Sequence, residues 1–339
     1  MPIRWLAAFV VAGALGSVLA PAHAQAGPAG GGEQAETGEV RSWLMRIHEA
    51  AGRRNFQGTF VVSAAGMVSS TRIVHYCEGN NRVERTDALD GQIRRVLLHN
   101  DVVHTLWPSS RVVSIEQRNG LASFPALLQG GADMRFAEHY RLQPLGADRV
   151  AGHEAIVLEV KPRDEHRFGY RLWVEKDSAL LLRADVLGGR DEVLESAAFS
   201  DLAINIRPQP DALLLPLRKL DGWRVLRPAV VRAQLGAEGW SMRVSLPGFR
   251  EIGCMKRPIE PAGDTAAAQV LQSVWSDGLT YVSVFIEPYQ AERHTRPMQT
   301  AIGATHTLMQ RQGDWWVTVM GEVPAATLRR FAAALERQR

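Results

Sequence analysis

Residues 55–63 read Asn55-Phe56-Gln57-Gly58-Thr59-Phe60-Val61-Val62-Ser63. Phe56, Gly58, Phe60 and Val62 fall on one side of an extended chain and Gln57, Thr59, Val61 and Ser63 on the other, the alternation of a strand with one wetter face. Downstream, Val68 to Cys77, Arg82 to Thr86, Ile93 to His99, Val102 to Trp107 and Arg111 to Gln117 are rich in β-branched and aromatic residues. Ala65-Gly66, Gly79-Asn80-Asn81, Asp90-Gly91, Asn100-Asp101 and Pro108-Ser109-Ser110 separate them, a spacing of about ten residues that predicts an antiparallel meander rather than βαβ units.

Upstream, Val40, Trp43, Leu44, Ile47 and Ala51 recur at helical spacing between Glu39 and Arg53, predicting a one-sided helix that needs a sheet to cover. A Leu-, Ala- and Phe-rich helical interlude is expected from Gly120 to about Glu138. Strands then resume at Tyr140 to Pro144, Ala155 to Lys161, Tyr170 to Glu175, Leu180 to Val186 and Val193 to Ile204. The first domain, residues 39–206, is thus a large antiparallel sheet with helices to wrap.

Residues 207–222 are a linker, with three prolines between Arg207 and Leu217. The second domain, 223–339, is expected to hold strands at Val225 to Leu235, Trp240 to Ser245, Leu279 to Ile286, Ala301 to Arg311 and Trp315 to Met320. A helix is expected from Ala266 to Trp275, and another opens with Pro324 and presents Leu328, Phe331 and Leu335 on one face. The fold class is α+β, with a large curled sheet plus a smaller antiparallel sheet-and-helix domain.

At the N-terminus a single Arg4 precedes an uncharged stretch from Leu6 to Ala20, at about 15 residues shorter than the roughly 20 that span a bilayer. Small residues before Gln25 place signal-peptide cleavage after Ala24, with Ala26 as an alternative, and a flexible leader follows over 25–38. Cleavage removes one arginine and leaves 38 basic against 36 acidic side chains, a net charge of +2. The signal implies export to the periplasm, an oxidising space. Basic residues form no run, which argues against nucleic acid as a partner. Two cysteines, Cys77 and Cys254, exclude a disulfide scaffold and a four-thiolate zinc site, and leave one bridge or two free thiols open.

The chain of 339 residues, 46% hydrophobic and 22% charged, is long enough to bury a core in each domain. It contains no G-x-S-x-G, G-x-G-x-x-G, P-loop or H-E-x-x-H signature. His99 and His104 flank a turn but lack a third ligand, so they read as solvent-side histidines. Asp164-Glu165-His166-Arg167 reads as a solvated turn. Aromatic residues gather in the first domain, where a curled sheet could enclose an apolar ligand lined by Phe56, Phe60, Val62, Trp107, Phe124, Leu127 and Trp173, or could have an ordinary filled core.

Several blocks together resemble the MucB/RseB family. They are Asn55 to Val61, Glu84-Arg85, Leu89-Asp90-Gly91, Arg149 to Gly152 and Arg167-Phe168-Gly169-Tyr170-Arg171-Leu172-Trp173 in the first domain. In the second they are Leu246-Pro247-Gly248-Phe249, Ser276-Asp277-Gly278-Leu279, Val282 to Pro288 and Gly321-Glu322-Val323-Pro324. The resemblance implies a first domain like the LolA-type lipoprotein carriers, no catalysis and no cofactor. It also implies binding to the periplasmic segment of a membrane anti-sigma factor of the RseA/MucA type, shielding it from the site-1 protease, with lipopolysaccharide or acyl chains as the release signal. A homodimer stays open.

Leu279, Tyr281 and Phe285 share one face of their strand and Val282, Val284 and Ile286 the other, so this strand reads as central core. Its flanks, Ser276-Asp277-Gly278 and Glu287-Pro288-Tyr289, are expected at exposed strand ends near the domain junction, where a partner peptide could add. The rival functions are a periplasmic lipid or lipoprotein carrier using the first-domain cavity, and an envelope hydrolase using His99, His104 and His166.

Overall fold

The computed structural model describes residues 42–43, 45–117, 139–207, 209–243, 246–259 and 269–338. The signal peptide, the leader and the whole 120–138 interlude, with Phe124 and Leu127, lie outside these residues.

Eleven strands follow the meander read from the sequence: β1 (Phe56–Ala64), β2 (Met67–Glu78), β3 (Asn81–Ala88), β4 (Arg95–His99), β5 (Val102–Trp107), β6 (Val112–Gln117), β7 (Tyr140–Val150), β8 (His153–Pro162), β9 (Gly169–Glu175), β10 (Leu181–Leu187) and β11 (Val193–Ile204). A twelfth, β12 (Arg224–Leu226), completes the sheet in the order β12-β6-β5-β4-β3-β2-β1-β11-β10-β9-β8-β7. Closure of β1 onto β11 joins the two meanders. β7 runs to Val150 rather than stopping at Pro144, because a register shift between Pro144 and Gly146 lets it pass the proline.

Helix α1 (residues 45–53) lays Ile47 and Ala50 on Leu158, Val160, Tyr170, Leu172 and Val174 of this sheet. Leu279 and Ala304, from the far half of the chain, belong to the same cluster. The two domains therefore share a core.

Residues 207–222 are not a free tether. They form α2 (Pro210–Leu214) and a 3-10 turn over Leu215–Arg218. Leu213 and Leu214 cover Tyr76 and Val83, while Leu217, Leu220 and Trp223 cover Leu97, Leu106 and Val113. β12, expected in the second domain, pairs parallel with β6. Apolar spacing along 213–223 explains this: a proline-rich segment with that many large side chains finds a sheet face to bury them.

The second sheet comprises β13 (Val231–Arg232), β15 (Arg250–Pro258), β16 (Gln269–Ser276), β17 (Tyr281–Pro288), β20 (Trp315–Gly321), β19 (Thr305–Gln312) and β18 (Met298–Ile302), in that spatial order. A separate ribbon pairs β14 (Trp240–Met242) with β21 (Leu335–Arg337). Helix α3 (Ala325–Ala334) covers one face with Leu328 and Phe331 against Val282, Val284, Val317 and Val319.

Three sequence expectations fail here, and one strand, β15, has no counterpart among them. The helix expected over Ala266 to Trp275 is instead strand β16 from Gln269, mostly buried and paired on both sides by β15 and β17, so tertiary pairing overrides helix-forming composition. The single strand expected at Ala301 to Arg311 folds back at Gly303 into the β18–β19 hairpin. β15 is not signalled by the sequence, because charged residues interrupt its alternation. Leu335 leaves the helix for β21.

Candidate functional site at the domain junction

The segment 164–167, read as a solvated turn, is the centre of the junction. Arg167 and Asp277 have fully buried side chains and form an ion pair at 2.8 Å. Asp277 Oδ2 also accepts from the Tyr140 hydroxyl at 2.9 Å, and its Oδ1 accepts from the backbone N–H groups of Leu279 (2.8 Å) and Thr280 (2.9 Å). Arg167 donates further to the Pro247 carbonyl at 2.5 Å and to Asp164 at 3.0 Å, and its guanidinium lies over the rings of Phe249 and Tyr140. Burial pushes the Asp277 carboxyl upward and the Arg167 charge opposes it. Four donors converging on one carboxylate favour its charged form against that burial.

A second layer surrounds this pair. Thr327 on α3 donates to the His166 carbonyl at 2.9 Å, and Arg330 reaches His166 Nε2 at 3.1 Å and Glu165 at 2.9 Å. The Tyr170 hydroxyl donates to Glu322 at 2.8 Å. Burial, then the charge of nearby Glu195, pushes the Glu322 carboxyl up to about 8, so it is largely protonated at neutral pH. Burial also raises Glu195, whose carboxylate accepts from the Ala304 backbone.

Gly303 turns the β18–β19 hairpin with φ +57°. A Cβ there would meet the Ala64 Cβ at 2.7 Å and Glu195 Oε2 at 2.8 Å, so only glycine lets the hairpin seat on the first sheet. Beside this seat is an open crevice of about 470 Å3, lined by the β1–β2 turn, the start of β11, and Ala301 and Gly303.

The six residues expected to touch a partner do not form one site. Ser276, Asp277 and Gly278 lie at the junction, but Ser276 and Asp277 are buried, and Asp277 is taken up by the knot of bonds to Arg167, Tyr140, Leu279 and Thr280. Glu287, Pro288 and Tyr289 lie at the other end of β17, roughly 25 Å away along the strand. There Glu287 faces Arg293 and His294, and Tyr289 packs against Arg311, His294 and Trp316.

The residues expected to line an apolar cavity are divided as well. Phe56 and Phe60 pack edge-on against Phe199 beside Ile73 and Leu180, a filled cluster. Val62 pairs with Ala197, Ala197 with Ala184, and Ala184 with Leu172, which leaves Trp173 on the opposite face. Trp173 donates to Asp148 and stacks under Arg183. Trp107, half-buried at the end of β5, pairs with Val112.

His99 and His104 pair with Val102 and Leu97 rather than with each other, and His166 is held at the junction, so the three assemble no common site. Among the described residues no group of three His, Cys, Asp or Glu is placed to hold a metal ion. Cys77 and Cys254 are free thiols on different sheets, and burial pushes Cys254 up to about 11.

The knot gathers four blocks of the sequence that carried the resemblance: Arg167–Trp173, Leu246–Phe249, Ser276–Leu279 and Gly321–Pro324. Comparison with known proteins agrees with it. The MucB/RseB N-terminal domain matches residues 39–216 and the MucB/RseB C-terminal domain matches residues 234–336. The sigma factor AlgU regulatory protein MucB of Pseudomonas aeruginosa is 31% identical over 314 residues, covering 88% of this chain and 92% of that protein. The sigma-E factor regulatory protein RseB of Escherichia coli K12 is 24% identical over 331 residues, covering 97% and 96%. A crystal structure of MucB in complex with MucA(peri) superposes with a TM-score of 0.63 at 28% identity, over 88% of this chain and 99% of that one. With both domains matched and the matching blocks meeting at one junction, the chain belongs to the MucB/RseB family.

Proposed function

We propose that this chain is a periplasmic regulator of sigma-factor signalling. It binds the periplasmic segment of a membrane anti-sigma factor and shields it from the site-1 protease, until an envelope lipid or lipopolysaccharide signal releases it. The observation that carries this reading is the junction itself, which holds two sheets in one relative orientation and sets an open crevice between them. Protection of this kind requires buried surface and competing affinity, not bond chemistry. The likeness to a MucB solved with MucA(peri) supports the class of partner. The release signal rests on the family resemblance.

The test mixes the mature chain with its cognate anti-sigma segment and the site-1 protease. Cleavage is expected to slow in proportion to the fraction bound and to recover when lipopolysaccharide is added. Unchanged cleavage at saturating protein would refute the regulatory reading. Stoichiometric extraction of acyl chains from membranes, with no effect on cleavage, would favour lipid carriage instead.

A further inference from the structure

Sheet edges invite pairing with other chains, and proteins blunt them with charges, prolines, bulges or very short strands. The edges of the two sheets can be compared on this basis. β7 carries Pro144, a register shift beside it, and the charged Arg141, Asp148 and Arg149. β12 is three residues long and β13 is two, ending in Arg232. β18, Met298-Gln299-Thr300-Ala301-Ile302, has none of these devices: all five residues are exposed, none is charged, none is proline, and its pairing with β19 runs without a shift.

The hairpin geometry shows which backbone groups this edge offers. Ile302 pairs with Thr305 across the two-residue turn Gly303-Ala304, so Ile302 and Thr305 exchange both backbone hydrogen bonds, as do Thr300 and Thr307. Gln299 and Ala301 therefore turn their N–H and C=O groups away from β19 toward the open edge.

The two ends of the edge differ in chemistry. At its start lie the exposed Arg296, two positions before Met298, and Arg329 of α3, whose guanidinium donates to the Gln299 side chain at 2.9 Å. At its far end the strand runs into the interdomain crevice, where Val193 is half exposed and Leu194, Ala65 and Gly66 form the wall.

We infer that β18 receives an extended segment of the protein partner as an added strand, acidic where it passes the arginines and apolar where it enters the crevice. This rests on the regulatory reading above and specifies where the bound segment lies. Main-chain bonds to Gln299 and Ala301 supply affinity, and the charge gradient sets direction.

The experiment uses the mature chain and a fluorescent synthetic peptide spanning the periplasmic segment of its cognate anti-sigma factor. Ala301→Pro removes one outward N–H without touching the β18–β19 ladder, a position where edge strands tolerate proline. Binding is expected to weaken about tenfold or more while the melting temperature holds. Arg296→Glu should weaken it several-fold at low salt and less at high salt. In the unmodified chain, saturating peptide should slow hydrogen exchange at the Gln299 and Ala301 amides. If peptide binds the unmodified chain but Ala301→Pro binds equally well and those two amides exchange unchanged, this placement is wrong and the regulatory function stands. If Ala301→Pro abolishes self-association and leaves peptide binding intact, the edge serves a second copy of the chain and the placement is likewise overturned. Failure of the unmodified chain to bind any part of the segment would sink both.

Discussion

Breaking the Arg167–Asp277 pair from its two sides should have unequal consequences. Asp277→Asn leaves a guanidinium with no exposed side-chain surface and only the partly exposed Asp164, at 3.0 Å, as a counter-charge. Arginine cannot shed its proton, so most of the penalty of a broken buried pair remains, about 3 kcal/mol, with Asp164 offsetting the rest. Arg167→Met instead strands a carboxylate that keeps three of its donors, Tyr140, Leu279 and Thr280, and that can neutralise itself by taking a proton. Burial already pushes this group above its ordinary value. In Arg167→Met its folded pKa lies above its unfolded one, so the folded state holds the extra proton, and the stability gained is present at low pH and lost as pH rises through the folded value. Urea unfolding followed by tryptophan fluorescence at pH 7 and pH 5 reads both effects. Arg167→Met should regain stability at pH 5 relative to the parent, and Asp277→Asn should not. The double variant Arg167→Met/Asp277→Leu should return to within about 2 kcal/mol of the parent, since apolar replacement of both partners removes the desolvation cost. A cost below about 1 kcal/mol for Asp277→Asn, or the same pH response in both single variants, would show that the pair is not buried in solution as it is here.

Other parts of the junction give further expectations. Glu322 is raised from 4.5 to about 8 in the folded chain, so its contribution is complete below pH 4.5 and is lost as pH climbs toward 8. Glu322→Gln keeps the acceptor for Tyr170 and should flatten that decline in a series of melts between pH 5 and 9; an unchanged slope would assign it elsewhere. Gly303→Ala should destabilise by about 2–3 kcal/mol, combining overpacking against Ala64 with a left-handed backbone. Gly313→Ala, at φ +59° with nothing within 4 Å, should cost only about 1 kcal/mol in the same calorimetric comparison. Leu213→Ala should cost about 2–3 kcal/mol and expose the first sheet to limited proteolysis, whereas a tether without contacts would show neither change.

The first sheet was legible because its turns are punctuated by residues with local reasons to turn. Gly66, Gly79, Asn100 and Gly152 all adopt positive φ where the sequence placed a break or a family block. The second sheet was less so, since Ala266 to Trp275 has helix-forming composition, yet Gln269 to Trp275 becomes strand where β15 and β17 flank it. The knot was hidden for a different reason. Arg167 and Asp277 lie 110 positions apart, and each looks like an ordinary surface charge until both are placed. One signal was available: each abuts an apolar run, Phe168 to Trp173 and Leu279 to Ile286, and a charge fixed to the end of a buried strand needs a partner. The unprotected edge of β18 was invisible because Gly303 was read through as part of one long strand.

The charged composition of the junction constrains how release can work. An apolar interface slides at small cost, whereas a buried ion pair with four donors on one carboxylate has a single register. Opening the domains here hydrates both charges, which offsets the lost pair, but it exposes the shared core around Leu279 and Ala304, at a cost of about 3 kcal/mol or more. A releasing ligand acting through hinge opening would need at least that differential affinity for the open form. Displacement of the bound segment from a body that stays closed needs none, and a fixed orientation also lowers the ordering cost of capturing that segment. On the regulatory reading, release is expected to leave the domains where they are. Spin labels on Asp177→Cys and Glu292→Cys, both exposed and one on each domain, in a Cys77→Ser background, give the relevant distance. It should be the same for the free chain, the peptide complex and the lipopolysaccharide-released chain; a lengthening that appears only on release would show that the knot opens and that hinge motion drives the switch.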